Sequence, residues 1–294
     1  MNINNIVNLN SIGFPFASKT TTNFDLSTIL YNETYTEDFH KNLLLIIDPQ
    51  NDFMEDGSLP VKGSREDMIN LISFIHANLQ KIDKIKISLD THSYTQIFFQ
   101  SWWQDSNGEH PDFFTIINKD SQFMPIFHKN DSLNYINYLE KVNKNLIIWP
   151  YHCILGTYGH NIEPNLEQML SYFSLVTKKK VDRFTKGANP LSEMYGIFRE
   201  EYSESNTAIN PIIAKAYGKY ENIIIAGEAK SHCVLETVKQ LCEFYQFNDF
   251  NSKIHILEDC TSSIEGFHKK ANEEFDKLKE KYNIILTDSK KIIL

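Results

Sequence analysis

The sequence predicts an α/β protein: a three-layer, doubly wound, mostly parallel six-stranded sheet with helices on both faces. Three observations predict it. Unbroken runs of leucine and β-branched residues, too short for helices, recur along the chain, as strands buried on both faces do. Stretches with apolar residues at helical spacing lie between most of them, and that alternation implies right-handed crossovers. Finally, 294 residues of which 41% are hydrophobic suffice for one large core or at most two.

Residues 1–40 are polar and turn-rich around Gly13-Phe14-Pro15-Phe16 and read as an N-terminal extension packed on a main domain of residues 41–294. Leu43 to Ile47 is the first strand, ending at Asp48-Pro49-Gln50-Asn51-Asp52-Phe53. Ser64 and Asp67 suggest a helix start resembling a capping box, with Met68, Leu71, Ile72, Ile75 and Leu79 as the apolar stripe. Ile85 to Leu89 predicts a second strand and Leu146 to Trp149 a third. Ile223 to Ala226, Ile254 to Leu257 and Ile284 to Leu286 complete the six. Helical patterns are clearest over 191–203, 231–245 and 263–281. Residues 93–145 exceed an ordinary connection and carry Phe98, Phe99, Trp102, Trp103, Phe113 and Phe114. They read either as a lid or interface, or as an insertion with its own apolar cluster.

A net charge of −9 argues against a nucleic-acid partner, which needs a basic face. No segment reaches the roughly 18 apolar residues of a membrane span, and no signal-peptide pattern precedes the first strand. Four cysteines without paired spacing fit free thiols in a reducing compartment. The expectation is a cytoplasmic protein acting on a small molecule.

Ligands of such sheets bind beyond the carboxyl ends of the strands. Asp48, Asp90, His92, His152 and Cys233 each follow a predicted strand and should gather at one edge. Cys233 lies at a strand-to-helix corner, where unpaired N–H groups and the helix dipole favour the thiolate of a group with an ordinary pKa of about 8.5. Read alone, a cysteine is more often a small residue packed under a helix than a nucleophile. Asp48 and Lys186 supply the base and cation that a nucleophilic thiol needs; read singly, they are a turn-capping carboxylate and a solvated surface charge. Asp90, His92 and His152 offer two imidazoles and a carboxylate, a hydrophilic donor set for zinc, iron or manganese. The alternative is a pair of hydrogen-bonded loop histidines. His110 and His128 are further imidazoles, but neither follows a strand.

These segments, taken in order, resemble the nicotinamidase branch of the isochorismatase-like cysteine hydrolases. The nucleophile segment is Gly227-Glu228-Ala229-Lys230-Ser231-His232-Cys233-Val234, and the acid segment is Asp48-Pro49-Gln50-Asn51-Asp52-Phe53 followed by Gly57-Ser58-Leu59. Lys186-Gly187 is the lysine segment, with Tyr195-Gly196-Ile197-Phe198 in place of a Tyr-Ser-Ala-Phe-like run. The metal segments are Asp90-Thr91-His92 and Trp149-Pro150-Tyr151-His152-Cys153, continuing to Gly156, Thr157 and Gly159. The five motifs span residues 43–260; the N-terminal extension lies outside the resemblance.

The resemblance implies a triad of Cys233, Asp48 and Lys186 and one divalent metal ion, zinc before iron or manganese, on Asp90, His92 and His152. It implies a cis peptide entering Ala229, an oxyanion hole from the backbone N–H groups of Ala229 and Cys233, and substrate-flanking rings at Phe53 and Trp149. In that family the pyridine nitrogen of nicotinamide lies toward the metal. The implied activity is hydrolysis of nicotinamide to nicotinic acid and ammonia through a thioester, part of NAD salvage. The alternatives are another small-amide or isochorismatase-like hydrolase, and a non-catalytic binding or assembly module. Oligomers are common among the relatives, though no interface is legible here. The chain departs from the pattern at Thr91 and Ser93, where the family has Asp-Trp-His-Pro, and at Gln96, where many relatives carry another histidine.

Overall fold

A computed structural model describes residues 2–13, 41–202, 216–246 and 253–294. The predicted architecture is present, and the main sheet is wholly parallel. Its strands are β1 (Asn42–Ile47), β2 (Lys84–Asp90), β7 (Val181–Lys186), β8 (Asn222–Gly227), β9 (Lys253–Leu257) and β10 (Ile285–Thr287), in the spatial order β10-β9-β8-β1-β2-β7. Because side chains alternate along a strand, β1 feeds both faces. Leu44 and Ile46 pack with α1 (Ser64–Ala77) and α3 (Pro164–Thr177), whereas Leu43, Leu45 and Ile47 pack with α4 (Leu235–Gln246) and α5 (His268–Tyr282).

Two predicted elements are corrected. Leu146 to Trp149 is not a strand of the main sheet. Its residues Leu146–Ile147 (β6) pair antiparallel with Ile116–Ile117 (β4), inside a third, aromatic cluster. The apolar run has another cause: it is buried among Ile97, Phe98, Trp103 and Tyr135, not between helical layers. The vacant place in the sheet belongs to β7, an edge strand whose burial alternates, so its sequence lacks the continuous apolar run of a central strand. The second correction concerns 191–203. Over its described part, 191–202, the chain is irregular, and its polar groups find partners outside a helix. Phe198 N–H donates to Gln240 Oε1 of α4, and Tyr202 N–H to Ser192 Oγ.

Of the N-terminal extension, residues 2–13 are described. Ile6, Val7 and Ile12 are buried in the cluster beneath α1 and α3, and the Asn8 N–H donates to Asn165 Oδ1. Residues 14–40, with Phe14 and Phe16, lie outside the described residues. Residues 93–145 fold around the aromatic cluster. They comprise β3 (Trp103–Gln104) paired with β5 (Met124–Pro125), then α2 (Lys129–Lys141), whose Tyr135, Ile136 and Leu139 point into it.

Candidate active site

The register of the sheet assembles the site. Asp90 pairs with Lys186 at the ends of β2 and β7, and Ile47 pairs with Gly227 at the ends of β1 and β8. Asp48 therefore leaves the sheet beside the turn that leads to Cys233. Gly227 has φ +113°, and a Cβ there would stand 2.0 Å from the Ile47 carbonyl oxygen, so only glycine lets the two strand ends meet. Beyond it the Glu228–Ala229 peptide is cis, as the resemblance implied, and Lys230–Val234 forms a single π-helical turn ahead of α4.

Lys186 is the hub. Its buried ammonium lies 2.9 Å from Asp48 Oδ2, 2.8 Å from Asp90 Oδ1 and 3.6 Å from Cys233 Sγ, and donates to the Met194 carbonyl at 2.9 Å. The Cys233 sulfur and the two carboxylates all fall within 4.8 Å of one another. Asp48 adopts the sparsely populated left-handed conformation, φ +43°, and Ser88 Oγ donates to its Oδ1 at 2.7 Å. Burial raises the Asp48 carboxyl above its usual range; Lys186 opposes this and Asp90 reinforces it. Burial also disfavours charge on Asp90, yet His92 and Lys186 outweigh it and hold that group low. Lys186 is pushed up by the two carboxylates against its own burial.

Cys233 departs from expectation. Burial drives the thiol well up, Lys186 only partly offsets this, and Asp48 and Asp90 add to the rise. The resting group is a thiol, because removal from water outweighs the favourable helix terminus.

Asp90, His92 and His152 converge as a buried donor set, their nearest ligand atoms within 4.8 Å of one another. His92 Nε2 is 2.9 Å and His152 Nε2 3.7 Å from Asp90 Oδ2. The opposite ring nitrogens are anchored, His92 Nδ1 on the Gly187 carbonyl at 3.1 Å and His152 Nδ1 on the Pro150 carbonyl at 2.8 Å. Both rings thus present Nε2 to one point, the arrangement that carbonyl acceptors impose on metal-binding histidines. A Cβ on Gly187, which has φ +79°, would stand 2.7 Å from Asp90 Oδ1 and 2.8 Å from His92 Cε1, so this turn too must be glycine. These residues fit a divalent ion. Gln96 is turned away from them, donating to the Gly187 and Asn189 carbonyls. His110 is tied to the Trp103 carbonyl and His128 to Asp131, and neither joins the set.

A narrow cavity opens onto Cys233, with Phe53, Trp149, His152, Glu193, Tyr195 and His232 among its walls. Trp149 Nε1–H donates to Tyr195 Oη at 3.1 Å and meets the His232 ring edge-on at 5.2 Å. Four contributors were not singled out from sequence. Gln50 clamps the Asp90 backbone from both sides: its Nε2 donates to Asp90 O at 2.8 Å and its Oε1 accepts from Asp90 N–H at 2.7 Å. Asp52 Oδ2 accepts the Cys153 N–H at 2.7 Å and so holds the loop that delivers His152. Both polar residues follow a strand inside the acid segment, and that was the available signal. Buried Glu193 is raised to about 8, first by burial and then by Asp90, against His92 and Lys186. Burial takes His232 down to about 4, leaving a neutral ring whose Nδ1 meets Ser231 Oγ. Nothing in the local sequence marks either group.

Fold and site together define a three-layer α/β protein with a cysteine, two aspartates and a lysine buried at the carboxyl edge of its sheet. No protein-family model matches the chain, and no curated protein sequence does. Solved structures do match. A nicotinamidase and pyrazinamidase of Acinetobacter baumanii shares the fold at a TM-score of 0.60, with 18% identity over 87% of this chain and 100% of that one. The yeast nicotinamidase matches at 0.59, with 22% identity over 84% and 99%. A pyrazinamidase of Pyrococcus horikoshii, solved in complex with zinc, matches at 0.51, with 17% identity over 84% and 99%. The chain has a nicotinamidase-like fold.

Proposed function

We propose that this protein is a metal-containing cysteine amidohydrolase that converts nicotinamide to nicotinic acid and ammonia through a thioester on Cys233. The observation that carries the reading is the contact of the Lys186 ammonium with Asp48, Asp90 and Cys233 at 2.9, 2.8 and 3.6 Å, in a nicotinamidase-like fold. Asp48, whose carboxyl is raised by burial, takes the Cys233 proton and lets the sulfur attack the carboxamide carbon. Lys186 compensates negative charge as it passes between carboxylate and sulfur. Backbone N–H groups of Ala229 and Cys233 receive the developing oxyanion; one such donor is typically worth about 2.7–4 kcal/mol of barrier. Asp48 returns the proton to the departing ammonia, and water then cleaves the thioester.

Asp90, His92 and His152 would hold one divalent ion, most simply zinc. When bound, it supplies a Lewis-acidic anchor that orients the substrate ring. Phe53 and Trp149 line the cavity as walls for a flat ring, with His152 packed 5.6 Å from Phe53. Among the described residues no helix is long and apolar enough to cross a membrane.

The test is ammonia release from a panel of carboxamides by wild type and Cys233→Ala. Nicotinamide should be the best substrate and the variant inert; undiminished release by Cys233→Ala would falsify the reading. Metal content is measured in parallel, and it should be lost in His92→Ala.

A further inference from the structure

At the Glu228–Ala229 peptide lies a second pair of buried acids. Asp67 stands on the first turn of α1, and Glu228 is the residue that enters Ala229. Asp67 is 5% exposed and Glu228 fully buried. Asp67 does not cap its helix as its place in the sequence suggests. The cap is Gly63, without a side-chain hydrogen bond, and the Asp67 carboxyl is turned to Ser262 and Glu228. Asp67 Oδ2 and Glu228 Oε1 are shut off from solvent with no donor among the described residues, while the two carboxyl groups lie within hydrogen-bond reach of each other.

Carboxylates only accept, so two of them in contact repel unless one carries a proton and donates. No cation relieves this pair among the described residues. Lys230 binds Glu258 at 3.2 Å and Arg65 binds Asp56 at 3.4 Å. The charged groups that do face Asp67 are acids, Asp259 on the turn after β9 and Glu66 on α1, with the Cys260 thiol nearby. Burial first, and then each other's presence, raises Glu228 far above the usual carboxyl range, and burial takes Asp67 to about 6.

The same junction grips the turn from both ends. Ser262 N–H donates to Glu228 Oε2 at 3.4 Å, and the Ser262 carbonyl accepts the Lys230 N–H at 2.7 Å, one contact on either side of Ala229. We propose that Asp67 and Glu228 hold one proton between them, and that this acid–carboxylate pair positions the Glu228–Ala229–Lys230 turn and through it Cys233. The pair touches no substrate; it acts through the backbone that carries the nucleophile, and its consequence for catalysis rests on the amidohydrolase reading.

Both groups titrate higher in the fold than in the unfolded chain, so the folded state holds the extra proton and stability falls as pH rises out of the ordinary carboxyl range; the Asp67 share is lost by about pH 6, and any fall above that comes from Glu228. Wild type should melt about 4 °C lower at about pH 9 than at about pH 6. In Glu228→Gln, whose amide donates without a proton, that slope should flatten. Infrared spectra of wild type at neutral pH should contain a protonated-carboxyl stretch that Glu228→Gln lacks, beyond the Glu193 band that both retain. The ratio of Cys233 alkylation rates by iodoacetamide, Glu228→Gln over wild type, should rise severalfold across the same pH range. A wild type without the infrared band, or equal melting slopes, removes the shared proton; a constant alkylation ratio removes the positioning role. None of these readouts uses an amide. A protein that gives all three results yet releases no ammonia keeps this pair and loses the nicotinamide reading.

Discussion

Two pairs of buried acids lie near the turn that carries Cys233, and they behave differently. Asp48 and Asp90 share the Lys186 ammonium, with His92 beside Asp90. Asp67 and Glu228 lie among further acids and have no ion-pair partner among the described residues. Burial alone penalises every one of these charges. Positive charge separates the extremes: His92 and Lys186 drive Asp90 well below its usual range and Glu228 without them stands well above it, whereas burial keeps Asp48 raised even beside Lys186. In the proposed reaction the first pair moves a proton, whereas the second keeps one.

The comparison breaks most completely if Lys186 is replaced by Met, which leaves Asp48 and Asp90 as buried acids without their ammonium. Removing one partner of a buried ion pair typically costs about 3–5 kcal/mol, so urea unfolding should show a loss of that size and ammonia release should vanish. Asp48→Asn sharpens it by removing the base while keeping the shape. The rate of ammonia release should fall by about 10²–10⁴-fold, and any rise of the rate with pH as the Asp48 carboxyl ionises should go with it. Gln96→Ala withdraws a donor from the Gly187 carbonyl that also anchors His92. Support of this kind is worth about 10–100-fold in metal affinity, readable by chelator competition. The smallest effect belongs to Asp52→Ala, which leaves the Cys153 N–H without its acceptor. A stability loss of about 1–3 kcal/mol should appear in thermal melts, with weaker metal retention because His152 is next in the chain.

Central strands and the residues at their ends were legible because continuous apolar runs are the signature of a parallel sheet, and the sheet itself then places Asp48, Asp90 and Cys233. β7 was not legible as a strand. Arg183 and Thr185 face solvent at the sheet edge, so Val181–Lys186 shows no apolar run. Leu146 to Trp149 shows the reverse error, since burial in an aromatic cluster gives the same composition as burial between layers. The pattern over 191–202 has helical spacing, but its backbone is paired by Gln240 and Ser192, which lie far away or turn back on the loop. The helix terminus that favours the thiolate of Cys233 was legible; the burial that opposes it is not reported by any local pattern. Glu193 and the Asp67–Glu228 contact are likewise tertiary facts, produced by residues distant in the chain.

Gln50 carries a mechanical consequence. By gripping both the N–H and the carbonyl of Asp90, it fastens the loop after β1 to the end of β2, two residues from Asp48. The acid that would shuttle the proton and the aspartate that would hold the ring-orienting ion are thus parts of one bracket. A ligand that displaces one must drag the other, and misalignment of the ring should be felt at the sulfur as a mistimed proton.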